Sequence, residues 1–449
     1  MSRKKISAVK VPHHKNTAAM ESVRIALPDE VLLPLKISSH GVQNNIPTVA
    51  VGDHVYLGQL IAEENGKGTS HVHASVSGTV VSLDDTVVTP NGVVPAIRIK
   101  SDGKMEKDPS LKAPAAEDLD GFLAACRASG IVGLGGAAFP LWSKYDAARK
   151  NHIRTILVNG AECEPYITSD HRTMLECTED IVLGIALLKK YLGSEEYVIG
   201  IEDNKPDAIA KLEETFKDDP AVKILPLKSV YPQGAKQVLL YNATGLVVQK
   251  GQRLASLGVI ITNITTLTKM GRYFEDGMPL VEKIVTVDGS AVKNPQNVIV
   301  PIGTPVKHII EQCGGLKAEP GKIIFGGAMM GKTVDTFDAP ILKATNAVLV
   351  FAEEDCKKTE PSPCIHCGKC VEACPLNLNP TAFARALDLE DEDERAAVLK
   401  KEEVNLCMSC GSCSFVCPAH RPIPEINNKA KGFLKKYDAA HAPEGGRKQ

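Results

Sequence analysis

The sequence predicts a multidomain α/β chain. Its expected parts are an N-terminal β barrel-sandwich, a central α/β domain, a β-grasp-like unit and a helical C-terminal domain built around cysteines. Three observations predict this. Residues 23–100 are short strand-like runs broken by Gly, Asn and Asp turns. Residues 118 to about 270 alternate strand-like and helix-like runs, the pattern of an α/β layer. Two dense cysteine runs follow residue 360. A length of 449 residues leaves room for two to four domains.

Composition narrows the function classes. With 43% hydrophobic and 24% charged residues, the chain can bury ordinary cores. A formal net charge of −2 and only 4% aromatic residues give neither a global attraction for nucleic acid nor many stacking platforms, so no nucleic-acid partner is expected. No run of 18 apolar residues occurs, so no membrane-spanning helix is expected. The start, MSRKKISAVKVPHHKN, is basic and lacks the apolar centre of a signal peptide. Residues 1–22 therefore read as a disordered tail, with docking to a membrane partner as the alternative. Thirteen cysteines without a secretory signal point to a reducing compartment, where patterned cysteines bind metal rather than form disulfides.

Within residues 23–100, Val49–Ile61 and His71–Val81 resemble the two halves of a biotinyl/lipoyl-type β-sandwich. The turn Ala74–Gly78 holds no lysine to carry a prosthetic arm, so a scaffold is expected. His71 and His73 fall on one strand face; they suit a metal pair or, more simply, a structural role. Residues 101–117, rich in Pro, Lys and Asp, read as a linker. In residues 118–278, helices are expected at Leu119–Ala128, Ile181–Leu192 and Lys205–Phe216, and strands at Thr155–Asn159, Tyr197–Glu202 and Val222–Leu227. Residues 279–350 give the β-grasp-like unit, with strands at Lys283–Gly289, Asn297–Gly303 and Lys322–Gly327 around a helix at Pro305–Cys313.

Residues 351–432 hold the strongest chemistry. Cys364, Cys367, Cys370 and Cys374-Pro375 form one C-x2-C-x2-C-x3-C-P run; Cys407, Cys410, Cys413 and Cys417-Pro418 form a second. In such runs three thiolates on a tight loop hold three irons of a [4Fe–4S] cluster, and the fourth ligates the other cluster. The spacing thus assigns Cys364, Cys367, Cys370 and Cys417 to one cluster, and Cys407, Cys410, Cys413 and Cys374 to the other. Zinc is the competing metal, but its sites draw four ligands in pairs. Gly368 and Gly411 lie inside the loops, where a missing side chain permits close backbone approach. Between the runs, Asn379–Leu389 begins like a helix with Pro380 in its first turn, and Glu390–Glu394 reads as a solvated acidic turn. Residues 433–449 read as a C-terminal tail. Cys126, Cys163, Cys177, Cys313 and Cys356 are scattered and read as buried or inert thiols.

Glycine loops supply a decoy and a candidate site. Gly326–Thr333 fits the phosphate-loop pattern, but Val334–Pro340 has no helical period, so a tight turn between strands is expected. Gly133-Leu-Gly135-Gly136-Ala-Ala-Phe139-Pro140 follows a helix rather than a strand, which departs from the dinucleotide fingerprint. Its clustered glycines still let backbone N–H groups approach a phosphate or a flat ring, and Lys144 follows at a distance suited to phosphate. Asn159-Gly-Ala-Glu162-Cys-Glu164-Pro165 lies directly after a strand, where α/β sheets bind ligands. Glu162 and Glu164 can accept from ribose hydroxyls or a flavin N–H; the alternative is a solvated acidic turn.

These last two segments resemble the flavin- and NADH-binding subunit of respiratory complex I and, more closely, the C subunit of Rnf electron-transport complexes. Tyr231-Pro-Gln-Gly234, Thr262-Asn263-Ile-Thr-Thr266, Gly326–Gly331 and the domain order agree with that family over roughly residues 23–430. The resemblance implies that Gly133, Gly135, Gly136, Lys144, Asn159, Glu162, Gly234, Thr262, Asn263 and Thr266 surround FMN. It implies that Phe139 and Glu164 face the nicotinamide nucleotide. One departure stands out: after Gly234-Ala235 the family carries a glutamate and this chain carries Lys236.

The implied function is a peripheral electron-transfer subunit on the cytoplasmic face of the cell membrane. It would exchange electrons between NAD(H), FMN and two [4Fe–4S] clusters. Its implied partners are integral-membrane and cluster-bearing subunits that couple the transfer to Na+ or H+ movement, with ferredoxin engaged indirectly. The rival readings are a soluble flavin/iron–sulfur reductase similar to the cobalamin reductases, and a cluster relay that does no nucleotide chemistry.

Overall fold

The computed structural model describes residues 6–36, 43–249, 251–357 and 359–441. Near the N-terminus an antiparallel sheet orders the strands Glu30–Pro34, Gly92–Ser101, Gly78–Thr89 and His54–Val55. A three-stranded sheet, Ile46–Pro47, Leu60–Glu63 and Val72–His73, shares its core. Alternate residues such as Val31, Leu33, Ile97 and Ile99 point inward, as strand periodicity requires. The Ala74–Gly78 turn is buried: Ser75 Oγ donates to the Ile302 carbonyl at 2.5 Å and Ser77 Oγ to Asp102 at 2.6 Å. It is docked as scaffold.

A parallel sheet follows, in the order Val222–Leu227, Glu196–Glu202, Thr155–Gly160, Val259–Asn263. Its helices carry recognisable start and stop signals. Asp118 caps Leu119–Ala128 by accepting from Gly121 N at 2.8 Å, and Pro206 opens Pro206–Thr215. Gly193 and Gly277 close Thr178–Leu192 and Ile264–Asp276 in left-handed conformations that favour glycine. Asn263 and Asn159 are register partners at the ends of adjacent strands, so two polar side chains meet at the sheet's C-terminal edge.

The next unit is a six-stranded mixed sheet ordered Val23–Arg24, Gln296–Pro301, Glu282–Asp288, Ala347–Ala352, Pro320–Phe325, Lys332–Val334, with the helix Val306–Gln312 packed into its core. The Gly326–Gly331 loop joins two antiparallel strands and opens no helix, as expected of a turn rather than a phosphate loop.

The C-terminal helices Pro380–Leu387, Glu392–Lys401 and Ile423–Ala440 close on Phe383, Leu399 and Leu434. Three expectations fail. Residues 6–22 are no free tail: Val9 and Val11 are buried, and Val9 exchanges both backbone hydrogen bonds with Tyr231 at 2.9 Å. The acidic run Glu390–Glu394 starts a helix, because Asp391 accepts from Glu394 N at 2.8 Å and its acids sit at the positive end of the helix dipole. The last helix runs past residue 432 because Leu434 has a core to enter. Residues 442–449 of the expected tail lie outside the described residues.

Candidate functional site

The candidate site is built where the strands Thr155–Gly160 and Val259–Asn263 end. Asn159 ties its strand to the Tyr231–Gly234 turn: Nδ2 donates to the Gly234 carbonyl at 2.9 Å while Oδ1 accepts from Ala161 N at 3.1 Å. Gly234 must be glycine, since a Cβ there would run into the Ala161 carbonyl oxygen. On the other side Asn263 Oδ1 accepts from Thr266 N at 3.1 Å, and Thr266 Oγ1 accepts from Leu134 N at 2.9 Å. These bonds hold the glycine loop against the strand end, with Gly135 within contact of the Asn263 side chain. Gly133 N donates to the Phe139 carbonyl at 2.8 Å and closes the loop, leaving Gly135 and Gly136 exposed at its rim. Thr262 is buried beneath, 3.4 Å from the Tyr145 hydroxyl. The structure thus gathers Gly133, Gly135, Gly136, Asn159, Gly234, Thr262, Asn263 and Thr266 around one edge.

Two cations belong to this edge. Burial pulls the Lys144 ammonium down to about 7, and the nearby charge of Lys236 adds to the effect. Lys236 opens the helix Lys236–Thr244, where the dipole also favours an anion.

The two carboxylates separate. Glu162 is buried and caps the helix Ser169–Glu176, accepting from Asp170 N at 2.7 Å and His171 N at 3.4 Å. Glu164 has one oxygen accepting from Met329 N at 2.9 Å and the other from Met330 N at 3.0 Å. Its carboxylate is therefore engaged by the β-grasp loop, where the sequence suggested a nucleotide. Burial raises its pKa against the pull of those two bonds.

Sequence reasoning passed over three contributors. Asp170 accepts from Asn263 Nδ2 at 2.7 Å and Thr265 Oγ1 at 2.5 Å, fixing the Asn263 amide. Burial, and then the charge of Glu162, raise its pKa. Its signal was its place in the polar run that begins at Asn159. Lys15, from the supposed tail, donates to the carbonyls of Glu162, Glu164 and Ile167 at 2.7, 2.9 and 2.6 Å and holds the acidic turn. Tyr231 sends its hydroxyl to the Cys410 carbonyl at 2.6 Å. Nothing local in the sequence announces these two contacts.

The cysteines gather in two sets. Cys374, Cys407, Cys410 and Cys413 line one cavity, whereas Cys364 and Cys417 are the thiol neighbours of Cys370. Each fourth cysteine therefore stands with the other run. Both loops repeat one backbone: His366 and Ser409, Gly368 and Gly411, and Asn377 and His420 pair off at positive φ. Burial, then the charges of Cys410 and Cys407, push the Cys413 thiol up to about 12. Iron–sulfur ligation takes the thiolate form, so binding of a cluster has to overcome this burial. Among the described residues, no three His, Cys, Asp or Glu side chains close around a single ion. A zinc site needs four ligands at about 2.0–2.3 Å from one metal, so the cavity fits the wider cluster better.

Family models match along the chain: the RnfC barrel sandwich hybrid domain at residues 6–104, the Nuo51 FMN-binding domain at 126–272, the SLBB domain at 284–333 and the 4Fe-4S dicluster domain at 360–420. The chain is 39% identical to the C subunit of the Na(+)-translocating ferredoxin:NAD(+) oxidoreductase complex of Acetobacterium woodii, over 80% of this chain and 81% of that one. It is 37% identical to the proton-translocating counterpart of Clostridium ljungdahlii, over 82% and 81%. With the C subunit of the ion-translocating oxidoreductase complex of Rhodobacter capsulatus it shares 36% identity, over 84% and 74%. The fold is similar to that of a chain in the crystal structure of an NAD+-reducing [NiFe]-hydrogenase, with a TM-score of 0.50 and 16% identity over 71% of this chain and 63% of that one. No helix among the described residues is long and apolar enough to cross a membrane.

Proposed function

The chain belongs to the family of C subunits of ion-translocating ferredoxin:NAD oxidoreductase complexes, and from that premise we propose that it is the peripheral subunit passing electrons between NAD(H) and two [4Fe–4S] clusters by way of FMN. When bound, FMN supplies the exchange between a two-electron hydride and single electrons, and the clusters carry the single electrons. The observation that carries the reading is the contact between the two sites. Tyr231, three residues from Gly234 at the strand-end site, donates to the carbonyl of the cluster-loop residue Cys410 at 2.6 Å.

The residues divide the work. The exposed rim of Gly135 and Gly136, closed beneath by buried Gly133, presents backbone to a flat ring, and Asn159, Thr262, Asn263 and Thr266 fix its position. Glu162 orders the same turn through its helix cap. Lys144 and Lys236 offer positive charge to a phosphate. Lys236, standing where the family carries a glutamate, adds a second positive charge beside Lys144. In this assignment Phe139 stands on the nicotinamide side, whereas Glu164, held by Met329 N and Met330 N, meets the nucleotide only where those bonds are given up. Cys364, Cys367, Cys370 and Cys417 ligate one cluster, and Cys374, Cys407, Cys410 and Cys413 the other.

Partner subunits, integral-membrane and cluster-bearing, exchange these electrons at the cytoplasmic face and couple them to Na+ or H+ movement; ferredoxin is reached through them. The match of residues 6–104 to the RnfC barrel sandwich hybrid domain supports this reading over a soluble reductase. Anaerobic purification tests it. The expected result is about eight irons and bound FMN, with prompt bleaching of both on adding NADH. Clusters without flavin or bleaching would leave only a relay.

A further inference from the structure

We propose that Tyr231 seats the cluster of Cys374, Cys407, Cys410 and Cys413 against the flavin site and tunes that cluster through the Cys410 carbonyl. The inference rests on the flavin-to-cluster reading above. Tyr231 is fully buried, and its backbone is pinned by Val9 from both sides. Its hydroxyl reaches the Cys410 carbonyl at 2.6 Å, with the Glu164 carboxylate as its second polar neighbour. At the other end of the same short turn, the Gly234 carbonyl accepts from Asn159 at 2.9 Å and Gly234 N points to Cys163 Sγ at 3.3 Å. Four residues therefore span from the edge of the flavin site to a cluster ligand. Val9, Val11, Cys163, Tyr231, Ala373 and Cys410 pack as one buried apolar patch around the contact.

A second contact braces the same loop. Gly411 lies so close to the Met329 carbonyl that an added Cβ would stand 3.2 Å from it, and Met329 is the residue whose N–H holds Glu164. The matching cysteine of the other loop, Cys367, is exposed and has no such cover.

The direction of the effect follows from electrostatics. The hydroxyl donates to the carbonyl of a ligand residue and draws electron density from it, beside a site that gains negative charge on reduction. Buried donors around a cluster favour its reduced form, and low local dielectric strengthens them. Tyr231 therefore raises the potential of this inner cluster relative to the outer one.

The test is Tyr231→Phe in the full chain, purified anaerobically, with each cluster followed by electron paramagnetic resonance during a redox titration. The inner signal is identified as the one lost in Cys374→Ala. Iron and FMN contents are expected to match the native chain. At a fixed ambient potential the ratio of reduced to oxidised inner cluster is expected to fall roughly three- to tenfold, the size of one net hydrogen bond, while the outer cluster stays put. An unmoved inner potential, or equal movement of both clusters, overturns the proposal. If the phenylalanine variant does not accumulate, 3-fluorotyrosine placed at 231 alone supplies a stronger donor. It is expected to raise the inner potential, and no shift overturns the proposal. A native chain without two cluster signals would instead sink the underlying reading.

Discussion

In the loop Cys407–Cys417, Cys410 is buried under Tyr231 and Gly411 backs onto the Met329 carbonyl; in Cys364–Cys374, the matching Cys367 is exposed and Ile365 beside it stands 64% exposed. Both loops share the same cysteine spacing and the same positive-φ positions. Spacing therefore dictates the local backbone, while distant segments dictate the surroundings. On the proposed reading, the difference gives the two clusters different work. The loop buried at Cys410, Ser412 and Cys413, though open at Phe415, is the one set toward the flavin. An exposed loop, with Ile365 and Val371 open to solvent, is placed to exchange them with a partner protein of the same complex.

The largest test breaks the pairing itself. Cys374→Ala is expected to cut the iron content from about eight to about four, removing the cluster of Cys407, Cys410 and Cys413. Loss of the Cys364, Cys367 and Cys370 cluster instead would show that each run ligates alone. Next comes the seat of the buried loop. Gly234→Ala forces a side chain into the Ala161 carbonyl, and overpacking of this kind costs about 1–3 kcal/mol. Bound FMN, measured by fluorescence after extraction, is expected to fall roughly tenfold or more; the inner cluster signal should broaden while the outer does not.

The flavin side of the contrast has a pH signature. Lys144, pulled down to about 7 by burial, holds fewer protons folded than unfolded from there up to the ordinary lysine range. Its burial therefore penalises the empty fold in full below about 7, and the penalty fades from there until it is gone above the ordinary lysine range. Phosphate binding needs the ammonium, so FMN affinity is expected to weaken between pH 6 and 8. Lys144→Met should lower the affinity at pH 6 about fivefold or more and flatten the Lys144-linked part of the slope in flavin titrations. The smallest effect sharpens the other side: Ile365→Ser, exposed in the outer loop, should change stability by no more than about 0.5 kcal/mol. A large drop in melting temperature would show that the outer loop is covered by its own chain.

How far the sequence carried the reading depends on where each site's atoms come from. The dicluster domain is written in neighbouring cysteines, so a pairing of its ligands could be proposed before any fold was known. The glycine rim and the strand-end asparagines were legible because strand ends collect polar residues. Lys15 was not: a lysine in a basic stretch reads as solvated, and its burial depends on three carbonyls some 150 residues away. The Tyr231–Cys410 bond joins two segments still further apart. Glu164 was noticed as a carboxylate at a strand end, but its partners belong to a loop that resembled a phosphate site. The helix start at Asp391 was hidden because an acidic run looks the same whether it caps a helix or coats a turn.

The most direct test of this inner-and-outer arrangement is a rapid-freeze experiment on the native chain. It is mixed with NADH, quenched over a series of times and read by electron paramagnetic resonance, with each signal assigned from Cys374→Ala. The inner cluster, ligated by Cys374, Cys407, Cys410 and Cys413, is expected to gain its electron first and the outer cluster later. Reduction of the outer cluster first would contradict the account.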